Sequence, residues 1–333
     1  MAEAREPTGG GGQLRVDLPE LRGYATALDD VSRDLGGCEG LANSYCVDAD
    51  FGKIVEELTS DYAALLPQMK ELLAENETVM RQYAVATDRT VGDFERTDDG
   101  VASRFQGDGI DASRGSAFFA LAPVGASAPY ASEGDLPEVS FGFVFDNLCW
   151  ALEKFCGWDV RGEVTDWIAG DVVGLSTQAS CWEIVGDRLG TTRDNLRTAD
   201  SRVLKTWEGL AANQHAAGMI VWDTALTDQS DSFKELGQSL KDLAKECVNV
   251  AQLVVDCIRL AVDLIASAWA LQYIPVYGQV KFVKKCWDAY KRAQKAIAYL
   301  KMIVSALRFT KSLIVVMVDK LTPTMLPGEP IGV

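Results

Sequence analysis

The tripeptide Trp207-Glu208-Gly209 sits between two runs, each about thirty residues long, in which apolar side chains return at helical spacing. On the upstream side these are Leu175, Ala179, Trp182, Val185, Leu189, Leu196, Ala199, Val203 and Trp207. Downstream they are Leu210, Ala217, Val221, Phe233, Leu236, Leu240, Leu243 and Cys247. Two such runs joined by a glycine predict an antiparallel helical hairpin. Gly209, Ala211 and Ala212 are small enough to let the return helix start close against the first, and Trp207 is placed to cap the apolar seam. A helix–turn–helix of this kind has no chemistry of its own, which points to cargo, scaffold or adaptor rather than enzyme.

A second hairpin is predicted near the N-terminus. Leu18, Leu21, Tyr24, Leu28, Val31 and Leu35 alternate by three and four, and Gly36-Gly37 is expected to stop that helix. A return helix is expected from an N-cap at Asp50 to about Thr97, through Phe51, Ile54, Leu58, Tyr62, Leu65, Met69, Leu72, Val79, Tyr83 and Phe94, with a kink at Pro67. The remaining divisions follow from composition. Residues 1–13 form a flexible start and 14–106 the first hairpin. The stretch 107–140, rich in Gly, Ala, Ser and Pro, reads as a mobile linker in which Phe118 and Phe119 either dock on the body or stay exposed, as isolated linker aromatics often do. Residues 141–247 hold short leading helices and the Trp-X-Gly hairpin, 248–321 further apolar and amphipathic helices broken at Pro275, and 322–333 a loose tail. No long segment alternates like a strand. The predicted fold is all-α: two long helical hairpins, four-helix-bundle-like, with a C-terminal amphipathic region.

Charge is uneven along the 333 residues, whose formal net charge is -16. From residue 281 onward there are ten Lys/Arg against three Asp/Glu, leaving 22 against 45 in the rest. The acidic body argues against nucleic acid as partner, since phosphate binding needs clustered cations. The basic tail either folds back on that body or meets anionic lipid. The charge-free stretch Leu264–Val280 contains Pro275 and falls just short of a membrane span. Eight cysteines include no CxxC and accompany a single histidine, so neither a zinc site nor any cofactor is expected. Cys38 and Cys46 are placed as a pair able to cross-link across the first hairpin's turn in an oxidising space, while most thiols read as core residues. His215 lacks any marked nucleophile or orienting neighbour and reads as a surface or core histidine. No catalytic residue is expected. Met1–Gln13 contains no apolar run of the kind a cleavable signal needs.

The second hairpin resembles the Trp-X-Gly superfamily of type VII (ESX) secretion substrates. The first, with Leu21-Arg22-Gly23-Tyr24 and Phe51-Gly52, resembles the EspC-like secretion-associated hairpins. The resemblance implies export without a cleavable signal, to the cell envelope or outside, through recognition by a secretion ATPase or chaperone. It also implies self-association or a Trp-X-Gly-type partner. In that family the Trp-X-Gly turn lies beside a Tyr-X-X-X-Asp/Glu tail on the partner hairpin. The nearest match here is Phe94-Glu95-Arg96-Thr97-Asp98, with Phe in place of Tyr and so without the phenolic hydroxyl. Trp207, Gly209, Phe94 and Asp98 are therefore the expected export and recognition residues, brought together if the two hairpins pack as an internal pseudo-heterodimer. Two other readings remain open: a cytosolic scaffold or toxin-partner protein that keeps the hairpins as an assembly module, and a membrane-active protein using residues 248–320.

Overall fold

The computed structural model describes residues 16–47, 56–102, 119, 121–133, 171–267 and 280–292, with isolated positions at 149–150, 153–154, 156–157, 159, 294–295 and 298. Four long helices dominate: α1 (Leu18–Tyr45), α2 (Glu56–Ala102), α3 (Val172–Val203) and α4 (Leu210–Ala266). A fifth, α5, spans residues 280–292. Among the described residues there is no strand, and the fold is an all-α bundle of two packed hairpins, α1 with α2 and α3 with α4. Both first helices begin on an aspartate cap. Asp17 accepts from the Glu20 amide at 3.1 Å and Asp171 from the Gly174 amide at 2.6 Å, meeting donors that a helix start leaves open.

The hairpins fold on each other. The start of α1 lies against the end of α3, where Glu20 pairs with Arg202 and the Asp17 amide donates to the Thr206 carbonyl at 3.2 Å. At the far end, Gln178 Nε2 donates to the Val47 carbonyl at 2.8 Å. Hence α1 and α3 run antiparallel. On the wider faces, Tyr83 of α2 meets Trp222 of α4 edge-on at 6.4 Å, and Asn76 meets Gln229. Within the second hairpin, an added Cβ at Gly237 would sit 2.7 Å from the Ala179 carbonyl oxygen, and one at Gly186 would sit 2.7 Å from that of Ser230. These two hydrogen-for-methyl positions set how closely α3 and α4 approach.

The seam is a heptad. On α4 the buried positions are Ala212, His215, Met219, Trp222, Leu226, Gln229, Phe233, Leu236, Leu240, Leu243, Cys247 and Val250, at unbroken steps of three and four. On α2 they are Tyr62, Leu66, Met69, Leu73, Asn76, Met80, Tyr83, Thr87 and Val91. The expected stripes hold at Tyr62, Met69 and Tyr83 and from Phe233 through Leu236, Leu240 and Leu243 to Cys247, and differ elsewhere. Leu65, Leu72 and Val79 are only partly buried beside the seam, while Leu210 and Val221 are exposed. Polar residues at seam positions caused the misreading, because Asn76, His215 and Gln229 break an apolar-only pattern.

Asn76 and Gln229 are both fully buried and exchange hydrogen bonds, Asn76 Nδ2 to Gln229 Oε1 at 2.6 Å and Gln229 Nε2 to Asn76 Oδ1 at 3.2 Å. One lies on each hairpin, so the pair fixes the register between them. Asn76→Leu alone should destabilise the protein by about 1–3 kcal/mol in urea unfolding, because it strands the Gln229 amide. Asn76→Leu with Gln229→Leu should recover most of that loss; a double variant as weak as the sum of the singles would remove the register argument.

Three further expectations change. Gly36-Gly37 does not stop α1, which continues to Tyr45. Gly36 instead gives room to the Glu77 carboxylate of α2, which a Cβ there would collide with. Cys38 and Cys46, eight residues apart on and just past one helix, are about 12 Å apart along it and cannot bridge. Cys46 lies instead in hydrogen-bonding contact with Cys181 of α3, and burial followed by that neighbour raises its thiol above the ordinary value. The linker is not free over residues 121–130. Asn195 of α3 clamps the Ala122 backbone, accepting from its amide and donating to its carbonyl, both at 2.8 Å. Arg188 then donates to the Ser127 carbonyl at 3.3 Å, and the Tyr130 amide donates to Ser180 Oγ at 3.3 Å. The segment is an extended strap running antiparallel to α3. Pro67 lies inside a continuous α2. The expected Asp50 cap, Phe51, Ile54, Phe118 and the Pro275 break lie outside the described residues.

α4 runs across position 248 without interruption, and at 57 residues it is about 85 Å long against about 48 Å for the 32 residues of α3. Its continuation joins a cluster that also holds Phe282, Cys286 and Ala289 of α5. Among the described residues no helix is long and apolar enough to cross a membrane.

Candidate functional site: the Trp-X-Gly end of the bundle

The last turn of α3 tightens before the chain reverses. The Leu204 amide still donates to the carbonyl four residues back, whereas Lys205 and Thr206 reach only three back, to Arg202 and Val203 at 3.1 and 3.0 Å. Trp207 follows, its amide on the Val203 carbonyl at 3.0 Å, and Gly209 takes φ +125°, a conformation open to glycine and strained for other residues. The Gly209 carbonyl then accepts from the Asn213 amide at 3.1 Å, starting α4. The expected turn is where the sequence put it.

Trp207 is 4% exposed, so the indole faces inward. It packs on His215 with ring centroids 5.2 Å apart. His215 in turn meets the edge of Tyr24 at 5.3 Å and lies 6.3 Å from Tyr83. One aromatic is thus drawn from each of α1 and α2 onto the start of α4, beneath the turn. His215 Nε2 is 2.8 Å from the Tyr24 hydroxyl and 3.3 Å from Asp200 Oδ1. Burial, and then the Asp200 charge, pushes the Tyr24 phenol well above its ordinary value, so it stays protonated and donates. Phe119 of the strap closes the far side of Tyr24 at 5.8 Å, with the Arg202 guanidinium 5.0 Å above its ring.

A charged clasp lies outside the aromatics. Burial works to raise the Glu20 carboxyl, but hydrogen bonds from Thr206 and Arg202 and the Arg202 charge outweigh it, leaving the group below its ordinary value. Arg22 pairs with Glu95, which fixes the level of α2 against α1. Phe94, beside Glu95, therefore stands at the same end of the bundle as Trp207, half-buried against the core. Asp98 lies in the helical backbone of α2, but its side chain falls outside the described residues. Trp207, Gly209 and Phe94 are thus gathered at one end; the Trp207 ring is not on the surface there. The exposed side chains of the turn are Lys205, Glu208 and Leu210, the last 75% accessible.

Sequence reasoning missed Tyr24, Glu20, Arg202, Asp200 and Phe119 as members of this end. Tyr24 carried a signal as a polar-tipped aromatic in the α1 seam, and Phe119 as a linker aromatic able to dock, though not where it docks. A shallow groove of about 290 Å³ opens nearby between α3 and α4, lined by Arg193, Arg197, Asp200, Met219 and Ile220 among others. Among the described residues no three His, Cys, Asp or Glu side chains converge in a way that could hold a metal ion. His215 is 8% exposed and sealed by rings, an arrangement suited to holding helices together rather than to reaching a substrate. No family model matches the chain, and no curated protein or solved structure matches it significantly.

Proposed function

We propose that the chain is a non-enzymatic recognition protein that is exported by, or works with, a type VII secretion system. What carries the reading is the packing of an N-terminal hairpin against a Trp-X-Gly hairpin, with the Trp207 turn, the start of α1 and the Phe94 region of α2 at one end. That is the arrangement of a hairpin heterodimer joined into one chain. The partner is a secretion ATPase or chaperone, and it reads the outer surface of the turn. Trp207 and Gly209 build that surface; Glu208 and Leu210, with Phe94, Glu95 and Arg96 of α2, present it. An exposed leucine at a helix start is suited to a partner's apolar pocket.

The test compares culture medium from hosts with and without the secretion ATPase. The protein should be extracellular only when the ATPase is present, and Leu210→Ser should stop export while leaving the helical signal and unfolding midpoint unchanged. Equal extracellular protein in both hosts removes the proposal. The other reading, a cytosolic scaffold or toxin partner, is favoured by the buried free thiols of Cys38, Cys46, Cys181, Cys247 and Cys286. In that case the protein stays inside both hosts.

A further inference from the structure

Helix α5 turns two different surfaces outward and inward. Phe282, Cys286 and Ala289 are buried, at steps of four and three, and seat the helix on the core. At 100° per residue the opposite side carries Val280, Lys284, Trp287 and Lys291, with Lys295 one turn further along. Val280 is 66% exposed and Trp287 43%, and the lysines beside them are exposed too. Across residues 281–295 there are six Lys/Arg and a single carboxylate, Asp288, in a chain whose net charge is -16. Elsewhere in the chain Trp150 is 45% exposed, with the Lys154 ammonium 4.5 Å from its ring.

We propose that this face of α5 docks on an anionic lipid surface, lying along it with Trp287 and Val280 at the headgroup level and Lys284, Lys291 and Lys295 on the phosphates. The combination of residues selects that occupant. Cations alone would suit any polyanion, but an exposed indole and valine between them require an apolar layer directly beneath the charge, which a bilayer interface supplies and a nucleic-acid backbone does not. A long nucleic acid would also have to lie along the acidic body, where 45 Asp/Glu face 22 Lys/Arg. A second copy brings the same net charge and is repelled at long range. Among the described residues no helix is long and apolar enough to cross a bilayer, and α5 is proposed to lie along the surface. The proposal is independent of the secretion reading.

Full-length protein is mixed with phosphatidylcholine vesicles, with and without phosphatidylglycerol, and sedimented. Binding is expected only to the anionic vesicles and should fall as salt is raised. Neutralising Lys284→Gln or Lys291→Gln should weaken it about fivefold each, and Trp287→Ser should weaken it at every salt concentration. Circular dichroism checks that these exposed substitutions leave the fold intact. Equal binding to both vesicle types, or none to either, overturns the proposal. So does tighter binding to RNA than to anionic vesicles, or sedimentation without vesicles that the same substitutions abolish, which would make the face a contact between copies.

Discussion

Trp207→Ala should cost about 3–5 kcal/mol of stability, measured as the shift in urea unfolding, because the ring is 4% exposed and packs at a tilt on the His215 that α1 and α2 also touch. Removing it leaves a cavity where three helices meet under a turn. The indole nitrogen has no hydrogen-bond partner, so Trp207→Phe loses only ring area and should cost about 1 kcal/mol. The pair of variants separates folding from recognition. Trp207→Phe keeps the turn, and with it the outer surface of Glu208 and Leu210, so it should still be exported where Trp207→Ala is not. If the phenylalanine variant unfolds as readily as the alanine one, the indole is not acting through packing.

Trp182→Ala should be as severe for stability, about 3–5 kcal/mol, but for reasons at the other end of the bundle. Trp182 is fully buried and stacks face to face on Phe233 of α4, with centroids 5.1 Å apart and planes 9° from parallel. Its Nε1 donates to the Tyr62 hydroxyl at 2.7 Å, that hydroxyl donates to Gln178 Oε1 at 2.7 Å, and Gln178 Nε2 donates to the Val47 carbonyl. This relay ties α3 to α2 and to the exit of α1. Trp182→Phe breaks its first link and should cost about 1–3 kcal/mol, more than Trp207→Phe. Equal costs for the two phenylalanine variants, read by the same unfolding curves, would mean that the relay contributes nothing.

The contrast between these two tryptophans shows what the sequence conveys. Apolar periodicity located the α3 stripe residue by residue from Leu175 to Trp207, and all of those residues are buried. It placed the turn at Gly209 because a positive φ and a three-residue break leave a local mark. It failed where burial is polar. With Asn76, His215 and Gln229 occupying seam positions, the apparent stripe on α2 slid by one residue to Leu65 and Leu72, and that on α4 to Leu210 and Val221. Pairing between distant elements carries no local signature at all. Nothing in Gly36 announces Glu77, nothing in Cys46 announces Cys181, and Phe119 in a stretch of small residues gives no hint that it closes over Tyr24. The residues proposed for recognition were legible as a turn and an aromatic tail segment, but their orientation was not.

The strap along α3 bears on how the two halves stay with their own chain. Hairpins of this kind, joined by a slack tether, are prone to exchange, each molecule lending one half to another and producing an interlocked dimer at high concentration. Here Ala122, Ser127 and Tyr130 are pinned to Asn195, Arg188 and Ser180, which shortens the effective tether and raises the local concentration of one half around the other. Pinned this way, each hairpin is held beside the other half of its own chain, which disfavours exchange between molecules.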